Sequence, residues 1–263
     1  MNKQALTHKT DGYIAGKVER PAGERWITMS NALTRAGHGL SLAEKRIVFI
    51  AVAKMDSRKP LPSDQALYTS RITAAEYAEL AECELQTAYE ALKDATKSLY
   101  RRSITFFEPA YKRKGDLVKV QMRWVGEVKY YAGEGWVELY WWPNLLPHLT
   151  GLRKQFTSYQ LKQTSALRCC YSWKLMELLM RFESTGWAEY DIEDFAVSMD
   201  ATEKQRANFN NIKRRIIEPA VKELQEKDGW VIQWQPINAG RKVKAVRFDF
   251  TRDSPRGLGG QST

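Results

Sequence analysis

The chain has 263 residues, 41 Lys and Arg against 31 Asp and Glu, a formal net charge of +10, and enough apolar and aromatic residues for two cores of ordinary size. That balance favours a polyanionic partner, since each cation set beside a phosphate releases condensed counterions. No run of about eighteen apolar residues occurs, and the start MNKQALTHKTDGY lacks an apolar h-region. A membrane span and a secretory signal are therefore not supported, and the chain is expected in the cytoplasm.

Residues 1–38 are polar, with scattered glycines and little periodicity, and read as a flexible arm in which Trp26 and Ile27 could add a short edge strand. Gly12 to Lys17 (GYIAGK) is one residue short of a phosphate loop and is followed by Val18 rather than Ser or Thr. Cys83, Cys169 and Cys170 have no disulfide or zinc spacing, and His8, His38 and His148 are isolated from one another. No metal, cofactor or catalytic group is expected.

Order is expected from Ser41-Leu42-Ala43-Glu44, a capping box opening an apolar central helix that Pro60 and Pro62 end. A second box, Thr73 to Glu76, opens a short helix to about Ala81, and a tight turn leads into a longer one from Leu85 to Arg101. That pair is a helix-turn-helix. Leu85, Ala88, Leu92, Ala95 and Leu99 form its inward stripe. The outward face is of mixed charge: Gln86, Thr87 and Glu90 are candidates for base edges, Lys97 and Arg101 for the backbone, and packing against a partner is the alternative.

A half-buried hairpin follows, with Ile104, Phe106, Val118, Val120, Met122 and Trp124 inward. Its loop carries Lys112, Arg113 and Lys114, a basic wing suited to phosphates; a solvated hairpin tip is the plainer reading. Further strands span Glu127 to Tyr131 and Trp136 to Trp142. Pro143, Pro147 and Gly151 mark the expected junction between a domain over 39–147 and a second over 148–250.

The plan then repeats: an apolar helix from Ser165 to Arg181, a short helix from Asp191 to Met199, a turn, and a helix from Asn208 to Leu224. In this last helix Phe209, Ile212, Ile216, Ile217, Ala220 and Leu224 fall on one side. The other side collects Asn208, Asn211, Arg214, Arg215 and Lys222. Asn can make two parallel hydrogen bonds to adenine and Arg two to guanine, so Asn208, Asn211, Arg214 and Arg215 are the candidate base readers; an ordinary solvated face is the alternative. Pro219 predicts a kink or an early stop, because its ring would strike the Arg215 carbonyl. A final hairpin through Trp230, Ile232, Trp234, Val246, Phe248 and Phe250 has a basic tip. Arg206, Lys222, Arg241, Lys242 and Lys244 are the backbone candidates of this half. A flexible tail is expected over 251–263. The fold class is α+β, with two tandem winged-helix domains.

The segments LSLAEKRIVFIAV, WPNLLPHLTGLRKQFTSYQL, LMELLMRF and QRANFNNIKRRIIEPAVKEL, followed by GRKVKAVRFDF, resemble in order and spacing the plasmid replication initiators of the Rep_3 superfamily, the group that includes the F-plasmid initiator. The resemblance runs from about Leu40 to Phe250. It implies binding to direct repeats (iterons) in double-stranded origin DNA, opening of the adjacent duplex, and recruitment of the host initiator and replicative helicase. It also implies a homodimer in equilibrium with monomer that represses its own promoter. The family's basic run falls on Lys213, Arg214 and Arg215; projection turns Lys213 towards the apolar side, so it is assigned to phosphate. A winged-helix transcriptional regulator would share this architecture. A nicking enzyme would need clustered metal ligands, and an RNA-binding protein would need exposed stacking aromatics.

Overall fold

Residues 20–109 and 117–252 are described in the computed structural model of the chain. Order begins well ahead of Ser41. Trp26–Ser30 forms strand β1, with Ile27 and Met29 buried, and Ser30 then caps helix α1 (Asn31–Arg35) by accepting from the Leu33 amide. The stretch 26–38 of the expected arm is thus folded and contributes Ile27, Met29, Leu33 and Ala36 to the core, while 1–19 lie outside the described residues. A five-residue strand has only two inward side chains, a weak local signal, and the partner of β1 comes 130 residues later, where Ser158 faces Thr28.

Helix α2 (Leu42–Val52) starts at the expected capping box: Ser41 Oγ accepts from Glu44 N at 3.3 Å and Glu44 returns to Ser41 N at 2.7 Å. It is buried almost all round, and each buried charge has a partner. Glu44 accepts from Arg102 at 2.8 Å, Lys45 meets Glu177 at 3.0 Å, and Arg46 donates to the Leu167 carbonyl at 3.0 Å. Burying such groups unpaired would cost several kcal/mol, on the order of the whole margin of folding.

Strand β2 (Thr69–Thr73) runs into α3 (Ala74–Ala81) through the second capping box, and Glu82, in the left-handed region at φ 51°, turns the chain into α4 (Leu85–Leu99). Ala88, Leu92, Ala95 and Leu99 are buried, but Leu85 is 47 % exposed. As the first residue of the helix it tilts towards the N-terminus, off the end of the packed stripe. Strands β3 (Ser103–Pro109) and β4 (Leu117–Arg123) form the hairpin, pairing Ile104 with Met122 and Phe106 with Val120. Trp124 lies past the end of β4 at a bend, fully buried, its indole donating to the His38 carbonyl at 2.8 Å. Strands β5 (Val125–Tyr131) and β6 (Trp136–Trp141) complete an antiparallel sheet of order β2-β6-β5.

The proline-rich segment is itself folded. A 3-10 helix over Pro143–His148 buries Leu145 and Leu146, and β7 (Phe156–Gln160) returns to pair with β1. Helix α5 (Cys170–Met180) begins at Cys170 rather than Ser165, because a 3-10 turn at Leu161–Thr164 and an irregular link deliver Leu167 to the core first. Its residues from Ser172 to Leu179 are all buried, Lys174 and Glu177 included.

Beyond it come β8 (Trp187–Asp191), α6 (Ile192–Ser198), α7 (Glu203–Arg206) and α8 (Phe209–Ile212). A π-helical turn, Lys213–Ile217, joins α8 to α9 (Glu218–Lys227), which packs on α5. The early stop expected at Pro219 does not occur. Glu218 N donates five residues back to the Lys213 carbonyl, and this wider turn takes the proline ring without ending the helix. Strands β9 (Trp230–Ala239) and β10 (Lys242–Arg252) close a sheet of order β8-β10-β9. Thr251 and Arg252 belong to β10 rather than to a tail, and Arg252 meets Asp228 at 2.7 Å; 253–263 lie outside the described residues. The result is two winged-helix domains in tandem, with α5 packed between β7 and α9.

Candidate nucleic-acid interface

In the second domain the local chemistry of caps comes first. Asp191 accepts from Glu193 N at 2.8 Å to start α6, and Thr202 and Gln205 form a capping box on α7. Asn208 caps α8, its side-chain oxygen accepting from Asn210 N at 2.8 Å, and the Asn211 amide donates to the Lys204 carbonyl at 2.9 Å. Reading adenine in the bidentate manner takes both a donor and an acceptor from one Asn. Each asparagine keeps a further donor and acceptor, but its orientation is set by the one bond that shapes the turn.

Arg214 and Arg215 differ. Both are exposed on the π-turn, opposite buried Ile216 and Ile217, and neither has a hydrogen bond or ion pair among the described residues. Lys213 is half-buried, its ammonium 3.7 Å from Glu218 and 6.0 Å from the centre of the Trp234 ring. Arg206 is exposed at the end of α7, and Lys222 is exposed on α9, 3.8 Å from Glu226. Lys204, also exposed on α7, was not among the candidates; its place in the Lys204-Gln205-Arg206 run just ahead of the reading helix is the signal that marks it.

The wing beside this helix is the β9–β10 hairpin. It turns at Gly240, in the left-handed region at φ 63°, and Arg241, between the paired residues Ala239 and Lys242. The register slips between Val243 and Ala245, which makes Lys244 the extra residue of a bulge. Arg241, Lys242 and Lys244 are all exposed and unpaired among the described residues, so the tip presents three cations.

The first domain carries the same parts with a different finish. On α4, Gln86 donates to Glu90 at 3.2 Å and Lys97 meets Asp94 at 2.7 Å, while Thr87 is exposed without such a bond. The hydrogen bond and charge of Lys97 hold the Asp94 carboxyl below its ordinary pKa. Arg101 is exposed but lies past the end of α4, in the turn before β3. Lys112, Arg113 and Lys114 fall within 110–116, outside the described residues.

Between the two reading units lies a polar joint that the sequence did not announce. Asp200, in the turn between α6 and α7, accepts from the His38 and Gly39 amides, each at 3.1 Å. Gly39 is required there: its φ is 62°, and a Cβ would come within 2.8 Å of the Ser103 carbonyl. Arg35 meets Asp194 at 2.9 Å, and Ser198 donates to the Arg35 carbonyl at 2.7 Å. Behind them Lys174 donates to the Thr34 and Ala36 carbonyls at 2.8 Å and lies 3.0 Å from His38 Nε2. Burial is the main cause that lowers Lys174 to about 7, and it also pushes His38 well below its ordinary value. Glu177 takes Lys45 on one oxygen and the Tyr159 hydroxyl, at 2.7 Å, on the other.

Among the described residues no group of three or more His, Cys, Asp or Glu could hold a metal ion, and no helix is long and apolar enough to cross a membrane.

Comparison with known proteins is consistent over both halves. The family model described as "Initiator Replication protein, WH1" matches residues 26–180, and that described as "Initiator Rep protein, WH2" matches residues 191–250. The chain is 22 % identical to the PI protein of Escherichia coli over 258 residues, covering 86 % of this chain and 83 % of that one. It is 23 % identical over 203 residues to a replication initiation protein of Escherichia coli, covering 75 % and 61 %. Among solved structures, the Pi initiator protein in complex with iteron DNA superposes with a TM-score of 0.71 at 22 % identity, covering 88 % of this chain and 98 % of that one.

Proposed function

The chain belongs to the family of initiator replication proteins, and from that premise we propose that it starts replication by binding direct repeats, or iterons, in the double-stranded DNA of a plasmid origin. The observation that carries this is the pair of unpaired arginines, Arg214 and Arg215, set on the helix beside a bulged wing with Arg241, Lys242 and Lys244 at its tip. A guanidinium that needs to break no bond to reach a guanine edge gives base recognition, and the wing cations give sequence-independent attraction to phosphate. The relative whose structure holds iteron DNA supports the choice of repeat over single operator.

In this reading Lys204, Arg206, Lys213 and Lys222 track the backbone around the second domain's groove. The first domain, with Gln86, Thr87, Glu90, Lys97 and Arg101 on or just past α4, takes the adjoining groove, and Lys112, Arg113 and Lys114 are assigned to phosphate. We place the division between the domains after α5, between Met180 and Asp191, where the two family matches part. Opening of the neighbouring duplex, contacts to the host initiator and replicative helicase, and repression of its own promoter by a dimer are parts of the same proposal, as is action in the bacterial cytoplasm. Footprinting on the DNA flanking the chain's own gene tests it. Protection of an array of direct repeats is expected; protection of one palindromic operator alone would favour a transcriptional regulator, and equal affinity for random duplex would remove sequence reading altogether.

A further inference from the structure

The π-turn is not an accident of one proline. In an unbroken α-helix, at about 100° per residue, Ile212 would point roughly 130° away from the mean direction of Ala220, Val221 and Leu224. All four are buried in one core. The residue that the π-turn adds supplies about 100° of rotation and brings Ile212 to roughly 30° from that direction. The same insertion puts Arg214 and Arg215 on the outside of the turn, across from Ile216 and Ile217.

Pro219 opposes relaxation to the α form alongside the burial of Ile212. With no N–H it cannot donate to the Arg215 carbonyl, and in α register its ring would strike that carbonyl. An N–H at this position would let the turn tighten, with Glu218 N moving from the Lys213 carbonyl to that of Arg214. Tightening would swing the arginines relative to α9 and to the wing that is hydrogen-bonded into the same domain. We infer that Pro219, which itself offers DNA nothing to bind, is a positioning residue for base recognition: it holds the π-turn that sets the direction in which Arg214 and Arg215 enter the groove. The inference rests on the reading that these arginines reach base edges.

Pro219→Ala in the full chain tests it, with binding to the cognate repeat and to random duplex measured at one salt concentration. The cognate-to-random affinity ratio is expected to fall at least tenfold while random-duplex affinity and its salt slope stay unchanged. Hydrogen exchange at the new amide of residue 219 is expected to show protection, the mark of a tightened turn; this measurement needs no DNA and reports even if binding is impaired for other reasons. An unchanged ratio would overturn the inference, and so would a fallen ratio with an unprotected amide. Arg215→Ala separates this from the underlying reading. If it also leaves the ratio intact, the arginines do not read bases; if it lowers the ratio and Pro219→Ala does not, only the role of Pro219 is wrong.

Discussion

The two domains present reading helices of the same design and opposite electrostatic finish. On α4 most of the outward polar groups satisfy each other, Gln86 with Glu90 and Asp94 with Lys97, so a contact with DNA through these four must first break a local bond, and Thr87 alone of the candidates on the helix is outside such a pair. On the second domain's helix the acids Glu218 and Glu226 face Lys213 and Lys222, and Arg214 and Arg215 are left without an ion pair among the described residues. An exposed pair is worth only about 0–1 kcal/mol, so the local bonds on α4 can be broken, but the bidentate geometry that gives specificity is not prepared in advance. From this difference a division of labour is expected under the proposed function, with the second domain discriminating among sequences and the first adding affinity with less discrimination.

The largest expected effect breaks this contrast from the second domain's side. Arg215→Ala should cost about 1–3 kcal/mol on the cognate repeat and far less on random duplex, whereas Thr87→Ala on α4 should lower both by a similar small factor. A titration in which Thr87→Ala discriminated as strongly as Arg215→Ala would dissolve the contrast. Next in size are the charge variants. Lys242→Ala should reduce the slope of log affinity against log salt by about one unit on all sequences, and Asp94→Asn, which frees Lys97, should steepen it by up to about one unit. If freeing Lys97 left the slope alone, α4 would not lie within reach of phosphate.

The last prediction concerns whether the domains respond together. Lys174 is held at about 7 when folded against an ordinary 10.5, chiefly by burial, with Lys45 adding to the shift and Glu177 and Asp200 opposing it. Between those values the unfolded chain binds a proton that the folded chain has shed, so stability rises with pH from about 7 towards 10.5. Urea unfolding of the full chain should therefore show a single transition whose midpoint climbs between about pH 7 and pH 9, and Lys174→Met should flatten that climb. Two separate transitions would mean that the joint does not couple the domains.

Much of this architecture was legible because its signals are local. The boxes Ser41/Glu44 and Thr73/Glu76 each lie within four residues, and the helices they open are where the spacing puts them. What escaped was set by distance or by a changed register. Strand β1 was anticipated only as a possible short edge strand at Trp26 and Ile27 because β7, which completes it, lies far along the chain, and the joint around Asp200, Lys174 and His38 gathers residues from three separate segments. Pro219 was read as a kink or an early stop because that rule assumes α geometry, and the π-turn lets the helix run on without the stop. In the interface, projection identified which side of the helix faces out, but could not show that Asn208 and Asn211 spend polar atoms on capping and bracing.

The Asp200 contact has one more consequence. Its carboxylate leaves the turn ahead of the second reading helix and grips the amides that precede the central helix of the first domain, so no slack tether separates the two readers. The molecule is then a caliper with a fixed jaw. A repeat lengthened by about 5 bp turns its second groove to the far side of the duplex, and one lengthened by about 10 bp restores the side but not the distance. A protein on a loose strap would forgive the second change; with both domains on one repeat as proposed, this chain is expected to bind neither altered repeat tightly, which a gel-shift series on lengthened repeats checks.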